Sequence, residues 1–213
     1  MAELPGLEIW PAEPEDSAAL EALVQAIYGG MFLAEDGTVC KEKDGDALLG
    51  LVWLRDLVSS GMIGMAKDRQ TALDNFVAGK TAMFADWTQA EQTAYGDQLE
   101  ANGVELVTAP YPSATGMPVR SYELYGIAAF AGEHGELALE ALSFICADAQ
   151  AQIVLGSRGI WQDNAIWLPC MEAAEGGTTL RRLFCDAVNA MLEGAKTPDG
   201  ALSALLDTMQ TLP

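Results

Sequence analysis

The amino-acid sequence predicts a helix-rich α/β fold. Short apolar segments alternate with longer segments in which apolar residues recur at helical spacing, and this alternation is typical of α/β proteins. Half of the 213 residues are hydrophobic and 20% are charged, so the chain has the material for a sizeable buried core. No apolar run approaches the roughly 18 residues that a membrane-spanning helix requires.

Helices are predicted where an apolar face lies between a start signal and a stop signal. The first begins after the acidic cap Pro14–Ser17 and ends at Gly29-Gly30. Another begins at Asp68 and ends at Gly79, a residue suited to a left-handed cap. The remaining helices are expected over residues 46–60, 89–101, 136–149, 179–192 and 200–209.

Strands are expected to be few and short. The candidates are Thr81–Ala85, Val104–Val107 and Tyr122–Phe130. A short hairpin over Phe32–Val39 is predicted to turn at Asp36-Gly37. No strong strand precedes the first helix, and residues 109–120 and 156–177 are expected to be irregular. Because an α/β domain usually begins with a central strand, the chain is expected to start partway through a fold.

The net charge limits the classes of partner. Lysine and arginine total 11, aspartate and glutamate total 31, and the formal net charge is −20. Nucleic acid is excluded as a partner because phosphate contacts need a basic surface, and an anionic membrane surface is excluded for the same reason. The acidic residues predict a solvated, self-repelling surface, and a ligand is expected to be neutral or cationic.

No motif supports a metal site or a disulfide framework. The cysteines are Cys40, Cys146, Cys170 and Cys185, and none of them has CxxC spacing. His134 is the single histidine, so the clustered ligands of a zinc site are missing and no metal is expected. Cys146 and Cys185 lie inside apolar helical patterns and are expected to be small buried thiols.

Catalysis also lacks support, and no cofactor or catalytic residue is expected. Gly79-Lys80-Thr81 resembles the end of a phosphate-binding loop, but Asp74 stands where that motif needs a glycine. The motif also needs a helix after the loop, whereas a helix is predicted before it. His134 lies in a predicted exposed turn and no Gly-x-Ser-x-Gly elbow occurs, so a serine–histidine triad is rejected.

One pattern points to a known family. Residues 76–83 read Phe-x-x-Gly-Lys-x-Ala-Met. With this pattern the chain resembles the extracellular solute-binding proteins of ABC sugar importers, the maltose-binding-like group with the periplasmic-binding-protein type 2 fold. In that family the motif joins a helix to a strand whose end delivers ligand contacts.

Flanking segments agree with the same family in their order and spacing. They are Tyr28–Gly30, Trp53–Ile63 with its Ser-Gly ending, Pro110–Pro112, Gly126–Ala128, Glu136–Phe144 and Ala201–Met209. The resemblance therefore covers nearly all of the chain. It implies two α/β lobes around a cleft, of which this chain would hold mainly the second.

The resemblance also implies a domain organisation. Residues 1–108 are expected to form an α/β region of the second lobe, and residues 168–213 its C-terminal helices. Residues 109–167 match a return segment that the family places in the first lobe. The segment that builds most of the first lobe would precede Leu7, so a truncated gene product or an excised subdomain is expected. Residues 1–10 lack the features of a signal peptide, although the parent protein would be extracellular or periplasmic.

A saccharide site follows from the resemblance. Sugars present apolar C–H faces and polar rims, which binding proteins meet with aromatic rings and a few polar acceptors. Trp87, next to Asp86 at a strand end, is the main candidate, and Trp10, Tyr125 and Trp161 are further candidates. A core role is the alternative for each tryptophan, and capping of the next helix is the alternative for Asp86.

The expected function is non-catalytic capture of a sugar or oligosaccharide by closure of two lobes, followed by docking on a membrane permease. Weak or no sugar binding is expected from this chain alone, because half of the contacts would be missing. The alternative is a structural remnant that binds no sugar and self-associates through the exposed surface between the lobes. A hydrolase or transferase would need a buried, perturbed acid or nucleophile, for which the sequence offers no candidate.

Overall fold

The fold is known from a computed structural model, which describes residues 5–14, 18–34, 38–85, 87, 89–107, 113–114, 119–121, 135–137, 140–141, 166–168, 171 and 176–212. The chain divides into two compact units. One consists of Met1–Tyr122 with Ile166–Pro213, and the other of Glu123–Ala165. In the second unit, residues 135–137 and 140–141 are helical, within the helix predicted over 136–149.

Two small parallel sheets belong to the first unit. Strand β1 (Leu7–Ile9) pairs with β2 (Ile63–Met65), and Leu7 also forms a parallel bridge with Met83. β1 is therefore the centre of this sheet, and its neighbours come from distant parts of the chain. Strand β3 (Val119–Ser121) pairs with β4 (Ile166–Leu168) in the other sheet.

The strands differ from the predicted ones. A strand does precede the first helix, at Leu7–Ile9, which corrects the expectation that none would. Thr81–Ala85 contributes a single bridge at Met83 rather than a strand, and Val104–Val107 is irregular. The candidate Tyr122–Phe130 lies outside the described residues.

β2, β3 and β4 were not predicted from the sequence. β2 lies where a helix was expected to end, and β3 and β4 fall in segments expected to be irregular. Each has three residues, which is too short to show a periodicity of two. Their hydrogen bonds join segments far apart in sequence, so tertiary contacts rather than local pattern decide where they form.

The helices lie close to their predicted bounds. They are α1 (Ala18–Tyr28), α2 (Gly45–Ser59), α3 (Arg69–Val77), α4 (Gln89–Ala101), α5 (Gly177–Leu192) and α6 (Pro198–Met209). Asp44, Asp68 and Thr197 explain three of the starts, because each side chain accepts a backbone N–H bond in the first turn. Gly29 and Gly79 have φ angles of 78° and 70°, the left-handed conformation that ends a helix. Within the described part of the chain, no helix combines the length and apolar content needed to cross a bilayer.

The hairpin prediction agrees with the structure in part. Leu33 and Val39 form an antiparallel bridge, as a turn between them requires. The turn residues Asp36-Gly37 lie outside the described residues. Phe32, at the start of this segment, is fully buried and meets Phe184 of α5 edge to face, with ring centroids 5.2 Å apart.

One apolar core holds the first unit together. α1 packs on α2, α5 packs on α6, and α2 contacts both of the latter helices. Cys185 in α5 is buried as expected, whereas Cys146 lies outside the described residues. Glu21 of α1, with 2% of its surface exposed, accepts the backbone N–H of Met171 at 2.8 Å. This bond satisfies a buried carboxylate and attaches α1 to the segment before α5.

Candidate functional site

Two sequence-predicted tryptophans lie beyond the carboxyl ends of the first sheet. Trp10 directly follows β1, and Trp87 follows the bridge at Met83 by four residues. In open parallel sheets, ligands bind outside the carboxyl ends of the strands. The structure thus brings Trp10 and Trp87 to the edge of the sheet where a ligand is expected.

Four aromatic rings form a connected group at this edge, called here the aromatic cluster: Trp10, Phe76, Phe84 and Trp87. The Phe84 ring stacks on Trp10 with centroids 5.4 Å apart and lies 5.9 Å from Phe76. Trp87 meets Phe76 edge to face at 5.6 Å and Phe84 at 6.5 Å. All of these separations lie in the favourable range for aromatic pairs.

The rings differ in their access to solvent. Trp10 is 3% exposed and is a core residue beneath Phe84, whereas Phe76, Phe84 and Trp87 are half-buried. Of the two tryptophans, Trp87 is therefore the one with ring surface within reach of a ligand. The contact role of Trp10 stays a prediction, and its observed role is to support Phe84.

The indole of Trp87 is held by a polar contact as well as by ring contacts. Its Nε1–H donates to Oε1 of Gln92 at 3.3 Å. Gln92 lies in the first turns of α4, so the position of this helix sets the orientation of the ring. The sequence contains no signal for this contact, because glutamine at a helix start is common.

A cation lies over the cluster. The Arg69 guanidinium carbon is 5.4 Å from the centroid of the Phe84 ring, and Nη2 donates to Oε1 of Glu91 at 3.0 Å. The backbone N–H of Arg69 donates to Oε2 of Glu13, also at 3.0 Å. The guanidinium thus pairs with the Glu91 carboxylate, and a second carboxylate, that of Glu13, is bound to the backbone at the same residue. The two acidic groups favour a neutral or cationic ligand over an anion.

The described residues form a platform rather than an enclosed pocket. The space against Trp10, bounded also by Glu8, Leu20 and Ala85, is about 10 Å³, roughly the room for one water. A groove of about 140 Å³ lies between α5 and α6 and shares no lining residue with the aromatic cluster. Small-molecule sites typically measure about 300–1,000 Å³, so enclosing a saccharide over the cluster would need a second surface.

The other predicted site residues, Asp86, Tyr125 and Trp161, lie outside the described residues. His134 lies outside them too. Among the residues that the structure describes, no group of three or more histidine, cysteine, aspartate and glutamate side chains is placed to hold a metal ion. Arg69, Phe84, Glu91 and Gln92 belong to the site by geometry, although the sequence did not single them out as site residues.

Solved structures with a similar fold include one assigned as an oligosaccharide periplasmic-binding protein and one of a receptor in complex with acarbose. A structure assigned as an oligosaccharide periplasmic-binding protein from Synechococcus sp. MITs9220 has a TM-score of 0.66 at 15% identity, over 98% of this chain and 61% of that one. A structure of that protein in complex with zinc gives 0.62 over the same shares. The GacH receptor of Streptomyces glaucescens, solved unliganded and with acarbose, gives 0.59 at 16% identity, over 98% and 59%.

These likenesses show the fold. The chain has the fold of periplasmic binding proteins, which confirms at that level both the α/β prediction and the resemblance read from residues 76–83. It spans about 61% of the length of the first of these structures. No protein-family model and no curated protein matches the sequence.

Proposed function

We propose that this chain is a carbohydrate-binding component of an ABC importer, and that the aromatic cluster supplies one side of the saccharide site. One observation carries the proposal: Trp87 is half-buried and oriented at the carboxyl edge of a parallel sheet. An oriented ring presents an apolar face to the C–H face of a sugar at little entropic cost. The fold shared with oligosaccharide-binding proteins supports this assignment.

The proposed action is capture without covalent chemistry. A sugar would rest on Trp87, a second surface would close over it, and the closed form would dock on a membrane permease. The protein that contains this chain would act outside the cytoplasm, in the periplasm or extracellularly. With the described platform open on one side, this chain alone is proposed to bind sugars weakly.

The test is a titration of the ¹⁵N-labelled chain with a panel of neutral oligosaccharides, followed through its tryptophan indole signals. The expected result is a shift of the Trp87 signal at millimolar sugar. Trp87→Leu removes this indole signal, so its titration is followed through the backbone amide signals, and the substitution should abolish binding. Trp53→Leu, the same change on the half-buried face of α2, should leave binding intact. No shift with any sugar would overturn the proposal, and so would sub-micromolar binding that survives Trp87→Leu.

Self-association is a second candidate, and a patch of exposed side chains favours it. Met62, Met65 and Met83, on or beside the first sheet, are 61%, 49% and 57% exposed. Exposed apolar patches are typical of interaction surfaces. Light scattering at several protein concentrations tests this candidate, and a monomer at every concentration would exclude it.

A further inference from the structure

We infer that Gln92 is a positioning residue that fixes the indole of Trp87, and that Gly96 is the residue whose missing side chain leaves room for it. The importance of this arrangement for sugar binding rests on the proposed function. The arrangement itself concerns three described residues and is testable without any ligand.

The first step is the contact between Trp87 and Gln92. Ring contacts with Phe76 and Phe84 restrict the indole, but stacking and edge contacts are tolerant of rotation. The hydrogen bond from Nε1 to Gln92 Oε1 at 3.3 Å is directional and selects one orientation. A platform that is already oriented loses less entropy when a sugar stacks on it.

The second step is the position of the Gln92 amide. Gln92 is an exposed residue, so burial does not hold its side chain in place. Gly96 lies four residues later on the same face of α4, where i and i+4 side chains meet. A Cβ built at Gly96 would lie 2.5 Å from Nε2 of Gln92, closer than atoms can approach.

The position of the Gln92 amide therefore explains why residue 96 is a glycine. Glycine in a helix interior is unfavourable relative to alanine, and Gly96 is not among the glycines with a left-handed φ. The atom that a methyl group would displace is the far end of a flexible side chain, so the helix can absorb the change. The consequence of Gly96→Ala would then be displacement of the Gln92 amide from Trp87, without damage to the fold.

The test compares four variants of the ¹⁵N-labelled chain: Gln92→Met, Gln92→Glu, Gly96→Ala and Gly45→Ala. Loss of one neutral hydrogen bond corresponds to about a threefold to tenfold change in equilibrium. Gln92→Met and Gly96→Ala should shift the Trp87 indole signal and speed its exchange with solvent by about that factor. Gln92→Glu keeps an acceptor and should preserve the signal, as should Gly45→Ala, whose added Cβ meets nothing within 4 Å.

A purely structural role predicts a different result. In that case Gly96→Ala would lower the melting temperature, whereas the positioning role predicts an unchanged or higher one. An unchanged Trp87 signal in Gln92→Met would overturn the inference.

The sugar titration separates this inference from the proposed function. Gln92→Met and Gly96→Ala should weaken oligosaccharide binding by about threefold to tenfold. If the Trp87 signal responds to these variants but no sugar binds any of them, the proposed function fails and the positioning role stands. If Trp87→Leu abolishes sugar binding while Gln92→Met changes neither the signal nor the affinity, the positioning role fails and the proposed function stands.

Discussion

At the scale of single residues, two glycines determine how closely α1 and α2 approach. A Cβ at Gly30 would lie 2.2 Å from the backbone nitrogen of Ala47, and one at Gly50 would lie 2.3 Å from the carbonyl oxygen of Val24. Gly50 lies inside α2, where helix propensity favours alanine by about 1 kcal/mol. An added methyl group would collide with backbone atoms, which cannot rotate away as a side chain can. The close packing of α1 on α2 therefore requires glycine at position 50 despite its low helix propensity.

Gly50→Ala should therefore destabilise the protein, by about 1–3 kcal/mol, the typical cost of overpacking. Gly45→Ala in the same helix is the matched control, since its added methyl group meets nothing within 4 Å, and it should be close to neutral. Urea denaturation measures both changes in the free energy of unfolding. A Gly50→Ala protein as stable as the parent would show that the two helices lie farther apart than described.

Asp68 is a single residue expected to make the stability of the protein depend on pH. The hydroxyl of Thr71 hydrogen-bonds to its carboxylate, and the backbone N–H of Thr71 donates to it at 2.7 Å. These two bonds, and to a smaller extent the charge of Lys67, hold the pKa of Asp68 below its ordinary value of 3.8. The charged form of Asp68 is therefore favoured more strongly in the folded protein than in the unfolded chain, so it stabilises the fold.

The resulting stability is present at pH values above the unfolded pKa of 3.8, and it is lost as the pH falls through the lower folded pKa. Asp68→Ala should lower the melting temperature at pH 7, and it should lower it progressively less as the pH falls through the folded pKa, because the parent then loses the carboxylate charge as well. Thermal unfolding of both proteins from pH 7 to pH 2 tests this. An equal difference at every pH would contradict the assignment.

At the scale of elements, the Arg69–Glu91 pair joins α3 to α4 next to the aromatic cluster. The two side chains are 19% and 11% exposed, so the pair is shielded from water more than an ordinary surface ion pair. Arg69 also lies over the Phe84 ring, which couples both helices to the aromatic cluster. Removing one partner would weaken the compensation of a largely buried charge.

Arg69→Met should lower the free energy of unfolding by about 1–3 kcal/mol, between the values for exposed and buried pairs. The double variant Arg69→Met with Glu91→Leu should recover part of this loss, because it also removes the carboxylate whose cationic partner is gone. Arg55→Met is the control, since the Arg55–Asp56 pair is 39% and 61% exposed and should contribute little. If the changes in the free energy of unfolding of the single variants Arg69→Met and Glu91→Leu add up to the change in the double variant, the two side chains are not coupled.

At the scale of the whole molecule, the net charge of −20 opposes compaction. Charges of one sign repel over a Debye length of about 30 Å at 0.01 M salt and about 3 Å at 1 M. The acidic surface is compatible with the proposed sugar ligand, because a neutral ligand is neither attracted nor repelled by the net charge. It also keeps nucleic acid and anionic membranes away.

Raising sodium chloride from about 0.01 M to 1 M should therefore raise the melting temperature. The measurement is thermal unfolding at several salt concentrations, with sucrose as a control for effects unrelated to charge. A melting temperature that falls with added salt would mean that attractive ion pairs outweigh the repulsion.

Local signals were enough to locate the helices and their ends. Asp68 and Gly79 predicted both ends of α3 within a residue or two, because capping depends on neighbouring backbone groups. Trp87 was likewise predicted to follow a strand-like segment, and it does lie at the carboxyl edge of the sheet. Which ring faces are open to a ligand could not be predicted, because Trp10 and Trp87 have the same side-chain chemistry and their different burial is set by tertiary packing.

The amino-acid sequence by itself determined the fold class, the helices and their caps, and the acidic surface. Each of these depends on residues within a few positions of one another or on composition. Tertiary structure decided that Leu7 pairs with both Ile63 and Met83, and that Arg69, Glu91 and Gln92 gather around Phe84 and Trp87. The strand pairings and the Arg69–Glu91 contact join separate segments of the chain, and they form only once the helices and the small sheet have packed together. The Trp87–Gln92 contact is short in sequence, but it depends on how α4 packs against the aromatic cluster.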